Sequence, residues 1–485
     1  MKTIGGRFRA AVLMGAAASV MVFAAGAKAQ NPNSNDNATT GKSHVLAVVG
    51  DIACQPGAEP TGEKAGENCV GDTAQNLYAS QQATANQIEA MKPDLVALVG
   101  DEQYQVGNYS DFENSYDLTY GAFKKITRPA PGNHEFYYEH GAIGVAGYGY
   151  FSYFNGVQIT TAPSNPYPSG PTVPAGTPVM TTVTGILNTG GSSSALAPPM
   201  CCTYTPGVAG TFTQPIPNSD GQAGHFDQSG GDGSAKYENG PNAGATAPVG
   251  VGDGWYSYNL GSWHLISLNI ECETQPGGCP DSTTSSDPGN WFARELAWLK
   301  DDLAANHSQC TAAYWHQPTF SAANTLTSPE GPSAGAFWQL LYQYGADLVL
   351  NGHDHLYARY RPLEPVYDAT ANNGAGGWTG VYDPKKGIRE FIVGTGGETL
   401  DPVGYGNDSD PTGNASFNTN NLEKATGSFW GVMSLTLNEN GYAWDFESAL
   451  PDTSQTGITA SSSYSDKGVG SCHGGPFGDN GQGNN

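Results

Sequence analysis

The chain has 485 residues and a formal net charge of −25 at pH 7, and only 13% of its residues are charged. This length can hold about two or three average domains, and the 66 glycines and 32 prolines predict long turn-rich loops around a globular core. The acidic balance excludes nucleic-acid binding through a basic patch, and a phosphate ligand would need a local positive source such as a metal ion.

The start of the chain has the pattern of a secretory signal peptide over 1–29. A basic stretch precedes an apolar segment at 10–27, and Ala27-Lys28-Ala29 matches a small-residue cleavage site. An uncleaved membrane anchor is the alternative, but no charged stop-transfer flank follows and no other segment reaches transmembrane length. We therefore expect a secreted or periplasmic protein with no membrane span after cleavage, which begins with a polar linker at 30–42.

Apolar runs and helical spacing predict an α/β core. Unbroken apolar runs predict strands that are buried on both faces, at 45–49, 95–99 and 347–350. Apolar residues at helical spacing predict helices at 74–91, 292–303 and 337–344, and Gly345 is expected to end the last of them. Strands that alternate with helices form sheets that bind ligands at the carboxyl ends of the strands. The sequence therefore predicts a site at the strand ends.

We expect one domain over 43–452, with a long insertion inside it and a tail after it. Residues 157–252 are rich in glycine, proline and serine and have little periodicity. This insertion is either a cap near the site or a solvated decoration. Residues 453–485 predict a flexible tail, apart from a possible disulfide at Cys472.

The eight cysteines indicate disulfides and an oxidising compartment. None has the spacing of a zinc–thiolate site. Local spacing favours Cys54–Cys69 and Cys272–Cys279, although it does not fix the pairing.

Five short motifs carry the polar residues that point to chemistry. They are Gly50-Asp51-Ile52-Ala53, Gly100-Asp101-Glu102-Gln103-Tyr104, Gly132-Asn133-His134-Glu135, Ala313-Tyr314-Trp315-His316 and Gly352-His353-Asp354-His355. Each motif alone has a structural explanation, since an aspartate at a strand end commonly caps a turn. Together, however, their aspartates, histidines and asparagine are the ligand types that metal centres use.

This set of motifs resembles the purple-acid-phosphatase-like metallophosphoesterases of the calcineurin-like phosphoesterase superfamily, in their bacterial secreted type. That family has the pattern GDxG, GDxxY, GNH(D/E), VxxH and GHxH. The second, third and fifth motifs match it fully, whereas Ala53 replaces a glycine in the first and Ala313 replaces a valine in the fourth. The resemblance covers most of 44–450 outside the insertion and implies a four-layered α/β/β/α sandwich.

The resemblance also implies a centre of two metal ions. The first ion would be held by Asp51, Asp101, Tyr104 and His355. The second would be held by Asp101, Asn133, His316 and His353, so that Asp101 bridges the two. A phenolate ligand favours Fe(III) at the first position, and an amide oxygen with two imidazoles suits Zn, Fe(II) or Mn at the second.

The implied reaction is hydrolysis of a small phosphomonoester by attack of a metal-bound hydroxide. His134, which follows Asn133, would stabilise the transition state or protonate the leaving group, and its alternative role is to orient a ligand. A phosphodiesterase or nucleotide-processing hydrolase with the same site is an alternative function. A non-catalytic surface or binding protein is a more remote one, because all seven expected ligands are present.

Some residues depart from the family pattern or fall outside it. Gln317 stands where bacterial relatives often have a second histidine, and Ala358 replaces a glutamate that would pair with Arg359. We expect His264, in a strand-like run, to be structural, and His140 to be a bystander.

A tyrosinate–iron site predicts a visible absorption band. We expect one iron and a second metal ion per chain, and a broad visible band that disappears in Tyr104→Phe because that variant removes the phenolate ligand. Elemental analysis and the visible spectrum of the purified mature protein measure both. Two metals other than iron and no band would contradict the iron assignment.

Overall fold

A computed structural model describes residues 42–55, 77–105, 107, 111–136, 150, 153–154, 254–271, 291–321, 323, 333–369, 377–403 and 421–474. The expected signal peptide, residues 30–41 of the expected linker, His140 and the 157–252 insertion lie outside these residues. We number the elements in chain order.

The described residues contain two groups of secondary-structure elements, strands and helices. The strands are β1 (His44–Val49), β2 (Leu95–Val99), β3 (Thr127–Ala130), β4 (Tyr256–Leu260), β5 (Trp263–Ser267), β6 (Cys310–Tyr314), β7 (Leu348–Asn351), β8 (Tyr357–Asp368), β9 (Gly377–Tyr382), β10 (Ile388–Val393), β11 (Leu422–Thr426), β12 (Phe429–Asn438), β13 (Gly441–Pro451) and β14 (Ser465–Ser471). The helices are α1 (Leu77–Met91), α2 (Asn133–Phe136), α3 (Trp291–Ala305) and α4 (Gly335–Gln343), with shorter helical turns at Phe112–Tyr116, Asp117–Thr119 and Tyr120–Ile126.

The strands form two mixed sheets. The first sheet has the order β14-β13-β12-β1-β2-β3, and the second has the order β11-β8-β10-β7-β6-β5-β4 with β9 paired to β8. Each sheet has a parallel part, which β1, β2 and β3 form at one edge of the first sheet and β5, β6, β7 and β10 form inside the second. The predicted α/β class is therefore confirmed, with two sheets.

Aromatic side chains join the two sheets face to face. The ring of Phe446 lies 4.1 Å from that of Tyr357, and the ring of Trp444 lies 5.5 Å from that of Phe391, measured between centroids. These pairs connect β13 of the first sheet with β8 and β10 of the second. Because such contacts combine apolar burial with favourable ring geometry, they fix the two sheets against each other.

The helices cover the sheets and have the positions that the sequence predicts. Helix α1 packs on β12 and β13, whereas α3 and α4 contact each other through Phe292 and Phe337, whose rings are 4.9 Å apart. Gly345 follows α4 with a φ of 75°, which confirms it as the glycine that ends this helix.

No helix in the described part of the chain is long and apolar enough to cross a membrane.

The expectation of a flexible tail over 453–485 needs correction. Ser465–Ser471 forms an edge strand that pairs antiparallel with β13, and Cys472 just after it is disulfide-bonded to Cys310 at the start of β6. The low-complexity composition gave no sign of this strand, because its order comes from a pairing partner and a disulfide rather than from local propensity. Cys54 is also disulfide-bonded, and Cys69, Cys272 and Cys279 lie outside the described residues.

Arg359 also differs from expectation, because it has partners that replace the missing glutamate. Its Nε donates to Asp466 Oδ2 at 2.6 Å, and its Nη1 contacts Glu423. Asp466 belongs to β14 and accepts a further bond from the Tyr357 hydroxyl at 2.8 Å. The tail strand therefore supplies one of the two carboxylates that neutralise this arginine, and Glu423 of β11 supplies the other.

His264 is structural, as expected. It is buried on β5, where Nε2 lies 2.7 Å from Asp302 Oδ2 and Nδ1 lies 2.9 Å from Asn259 Oδ1.

Removing the disulfide between Cys310 and Cys472 should destabilise the fold. The bond closes a sequence separation of 162 residues, so its loss frees the unfolded chain. We expect the double variant Cys310→Ser, Cys472→Ser to lower the free energy of unfolding by about 2–4 kcal/mol. Denaturant unfolding followed by tryptophan fluorescence measures this. A midpoint and slope equal to those of the unmodified protein would contradict it; chemical reduction is a poorer test because it also opens the bond at Cys54.

Candidate metal centre

The carboxyl ends of the parallel strands bring all seven expected ligands to one place. Asp51 follows β1, Asp101 follows β2, and Asn133 follows β3 in the first sheet, while His316 follows β6 and His353 follows β7 in the second. Tyr104 lies on the loop after β2, and His355 lies just before β8. The site therefore needs both sheets, because each contributes only part of the ligand set.

The first group of expected metal-ligand atoms surrounds the hydroxyl oxygen of Tyr104. This oxygen lies 2.9 Å from Asp51 Oδ1, 3.0 Å from Asp101 Oδ2 and 3.0 Å from His355 Nε2. His355 Nε2 is also 3.2 Å from Asp51 Oδ1. These four side chains are the ones expected at the first metal.

The second group shares Asp101 with the first. His316 Nε2 lies 3.0 Å from Asp101 Oδ2, and the ligand atoms of Asp101, His316 and His353 all lie within 4.8 Å of one another. His353 Nδ1 is 3.1 Å from Asn133 Oδ1, which brings the amide into the same group. Asp101 Oδ2 therefore stands between the two groups, where the sequence predicts a bridging ligand.

Each of the two aspartates divides its oxygens between backbone and site. Asp51 Oδ2 accepts the backbone N–H of His353 at 3.0 Å, and Asp101 Oδ1 accepts that of His134 at 2.9 Å. The remaining oxygens, Asp51 Oδ1 and Asp101 Oδ2, point at the other donors. The backbone bonds thus fix the two carboxylates and leave one oxygen of each for a ligand.

Backbone carbonyls fix the imidazole tautomers. Nδ1 of His316 lies 2.8 Å from the carbonyl of Val99, and Nδ1 of His355 lies 2.6 Å from that of Thr399, so each of these nitrogens carries the proton and donates it. In the neutral ring the lone pair is then on Nε2, the atom that faces a carboxylate oxygen. His316 Nε2 is buried, and although it lies 3.0 Å from Asp101 Oδ2, the pair lacks the geometry of a hydrogen bond. Two acceptors that face each other require a proton or a cation between them, so these residues fit a metal centre.

The electrostatics of the site depend on the two buried aspartates. Burial opposes the charge on His316, but Asp101 outweighs it and raises the pKa of this histidine to about 10. The same balance, with Asp51 as the partner, raises the pKa of His355 to about 9. Burial and the nearby His316 lower the pKa of His353 to about 3.

The surroundings of Tyr104 disfavour its ionised form, the phenolate. Burial, followed by the charges of Asp101 and Asp51, holds the pKa of its phenol well above the usual range. A phenolate at this position therefore needs a strongly positive partner, which a metal ion would supply.

The backbone at the ligands is strained. Among the described residues, the non-glycine residues with positive φ are Lys92 and three expected ligands, Asp51 at 59°, Asp101 at 51° and His353 at 67°. Such conformations are costly for side chains with a Cβ and cluster at functional sites. Gly100 allows the two sheets to approach, since a Cβ there would lie 2.4 Å from His316 Nδ1.

His134 lies at the edge of the ligand groups. Its Nδ1 is 2.6 Å from the carbonyl of Gln105, its ring centroid is 4.2 Å from that of Tyr104, and its Nε2 is 3.8 Å from Asp101 Oδ2. The side chain is 15% exposed, so one edge of the ring is open to a ligand.

Sequence reasoning assigned no role to several residues that support the ligands. Asp401 Oδ2 accepts the backbone N–H of His355 at 3.0 Å, Gln317 Nε2 lies 3.4 Å from Asn133 Oδ1, and Glu135 accepts backbone N–H groups of two loops. Glu135 and Gln317 stand beside predicted ligands in the sequence, which was the available signal. Asp401 had none, because only the folded chain brings it to His355.

Metal binding should release protons. With the metals removed, His316 and His355 are protonated at pH 7 because their pKa values are about 10 and about 9, and they must lose these protons to bind a cation. We expect release of about two protons per chain from the imidazoles, one more if Tyr104 binds as a phenolate, and a metal affinity that rises between pH 7 and 9. Calorimetric titration of the chelator-treated protein with Zn²⁺ in buffers of different ionisation enthalpy measures the number. A binding heat that is independent of the buffer would contradict the prediction.

Comparisons with known proteins agree with this site. No protein-family model matches the chain. Purple acid phosphatase 15 of Arabidopsis thaliana is 29% identical over 131 residues, which are 25% of this chain and 22% of the relative. The acid phosphatase of Aspergillus ficuum is 30% identical over 143 residues, covering 24% and 23%, and acid phosphatase type 7 of Danio rerio is 30% identical over 142 residues, covering 25% and 29%.

The similarity is thus local, since the chain spans less than a third of the length of these curated relatives. A purple acid phosphatase from yellow lupin (Lupinus luteus) seeds has a TM-score of 0.42 and 15% identity, over 87% of this chain and 53% of the lupin chain, and this superposition is too loose to carry an argument. The matches to acid phosphatases confirm the resemblance to purple-acid-phosphatase-like metallophosphoesterases that the five motifs predict.

Proposed function

We propose that this protein is an exported phosphatase that hydrolyses small phosphomonoesters at a centre of two metal ions. The convergence of seven donor side chains into two groups that share Asp101 carries this proposal. The curated relatives support phosphoester hydrolysis, because two of them are named acid phosphatase and one purple acid phosphatase.

The two donor groups differ in chemistry and would select different ions. Asp51, Asp101, Tyr104 and His355 offer anionic oxygens, which suit Fe(III), whereas Asn133, His316 and His353 with Asp101 suit Zn, Fe(II) or Mn. When bound, two such ions would activate water and polarise the phosphoryl oxygens. They would also supply positive charge to a phosphate ligand in a chain whose net charge is −25.

His134 is the candidate for proton transfer. Its Nδ1–H donates to the carbonyl of Gln105, so Nε2 is the nitrogen that would hold or donate a proton in the reaction. Its ring packs on Tyr104, which fixes its direction relative to the donors. From this position the protonated ring would donate to the oxygen of the leaving group or stabilise the charge that develops on the phosphoryl group.

Export is supported by the chemistry of the chain. The disulfide between Cys310 and Cys472 suits an oxidising compartment, and the signal-like start at 1–29 provides the route. We therefore place the substrate outside the cytoplasm.

Kinetics on model esters test the function and the role of His134. We expect the protein to hydrolyse para-nitrophenyl phosphate faster than the corresponding bis-ester. His134→Gln should lower kcat for the monoester by about 10²–10⁴-fold with unchanged metal content, because it removes the proton-transfer group and no ligand. Steady-state rates and elemental analysis measure these quantities.

His44→Gln is the matched control, since His44 begins β1 at the end of the strand away from Asp51 and should leave the rate unchanged. Faster hydrolysis of the diester would favour the phosphodiesterase alternative. No hydrolysis of either ester by the metal-loaded protein would favour the non-catalytic alternative. A His134→Gln variant with the normal kcat would contradict the role of this histidine.

A further inference from the structure

A buried glutamate joins two of the loops that carry the ligands. Glu135 lies in α2 and is 1% exposed. We propose that Glu135 is a positioning residue that holds Asn133 and His134 against Asp101, and that it thereby sets the affinity of the second metal. The inference rests on the proposed two-metal function, and it assigns a role that the ligand set does not include.

The first and second loops are joined to each other through their backbones. We call 50–53 the first loop and 100–105 the second loop. Backbone N–H groups of the first loop donate to carbonyls of the second, and Tyr104 N–H donates back to Ala53, with distances of 2.8–3.0 Å. This ladder fixes Asp51, Asp101 and Tyr104 relative to one another through hydrogen bonds that do not involve Glu135.

The third loop, 131–136, has no such ladder of backbone bonds to the second among the described residues. Side chains join the two loops instead: Asp101 Oδ1 accepts the N–H of His134, His134 Nδ1 donates to the carbonyl of Gln105, and Glu135 makes the remaining hydrogen bonds. Its Oε2 accepts the N–H of Asp101 at 3.1 Å and that of Gly132 at 2.9 Å, and its Oε1 accepts the N–H of Gln103 at 3.0 Å. One side chain thus binds the loop that carries Asp101 to the loop that carries Asn133.

The geometry requires two acceptor oxygens. Each oxygen of Glu135 accepts at least one N–H group, so a glutamine, which has one acceptor atom and one donor atom, must lose at least one of these bonds. The amide hydrogen would then face an N–H group in a buried place. Because an unpaired buried N–H is costly, the third loop would move to relieve it.

Loss of Glu135 should weaken the binding of one metal more than the binding of the other. The first group of ligands lies on the two joined loops and at His355, which Asp401 and the carbonyl of Thr399 hold independently. Only the second group takes a ligand, Asn133, from the third loop. Loss of Glu135 should therefore weaken the second metal selectively, by the about 10–100-fold that supporting residues of metal ligands typically contribute.

Graded removal of the metals tests this. The full chain, purified with its metals, is dialysed against increasing chelator, and the metal content per chain is measured by elemental analysis. In Glu135→Gln we expect one metal to leave at about 10–100-fold lower chelator concentration than in the unmodified protein, with the other metal unchanged. Glu135→Asp, which keeps both carboxyl oxygens but is one methylene shorter, should shift the same metal and serves as the test if the glutamine variant fails to fold.

Glu390→Gln is the matched control. Glu390 is equally buried, on β10 of the second sheet, and forms none of the hydrogen bonds to the second or third loop. Both metals should leave this variant as they leave the unmodified protein. Metal release from the Glu135 variants that is normal, or that shifts equally for both ions, would overturn the positioning role while the proposed function stands. Fewer than two metals in the unmodified protein would instead overturn the proposed function, and the positioning role with it.

Discussion

The site depends on one buried carboxylate, Asp101. Its Oδ1 holds the backbone of His134, and its Oδ2 lies 3.0 Å from both the Tyr104 hydroxyl and His316 Nε2. A charge in this position is costly unless positive groups offset it, and it raises the pKa of His316 to about 10. The two groups of ligand atoms share this oxygen, so they are best understood as one centre organised by a shared anion.

The ligands around that oxygen come from both sheets of the fold. The first sheet supplies Asp51, Asp101 and Asn133, and the second supplies His316 and His353, so neither sheet alone makes a centre. The aromatic contacts between β13 and strands β8 and β10 hold the sheets at the spacing that closes the site. Further from the centre, the edge strand β14 joins both sheets through Asp466 and the disulfide after it.

Support for the ligands comes mostly from the backbone. Carbonyls of Val99, Thr399 and Gln105 fix three imidazoles, and backbone N–H groups hold one oxygen of each aspartate. Main-chain partners do not change when a side chain is substituted, which makes the arrangement rigid. The left-handed φ angles at Asp51, Asp101 and His353 are the local cost of this arrangement.

The sequence by itself determined the buried strands, the α/β class and the candidate ligands, because these depend on local patterns: an apolar run, its end, and the polar residue that follows. It also identified His264 as structural and Gly345 as a helix end. Only the tertiary structure decided which residues support the ligands, since Asp401 reaches His355 and Glu135 reaches Gln103 through contacts that no local pattern records. The same holds for the tail, where Ser465–Ser471 becomes a strand, and for Arg359, which Asp466 neutralises. Strand pairing and ion pairing between distant segments are properties of the folded chain. The local sequence of the tail therefore did not reveal its strand, and the local sequence around Arg359 did not reveal its partner.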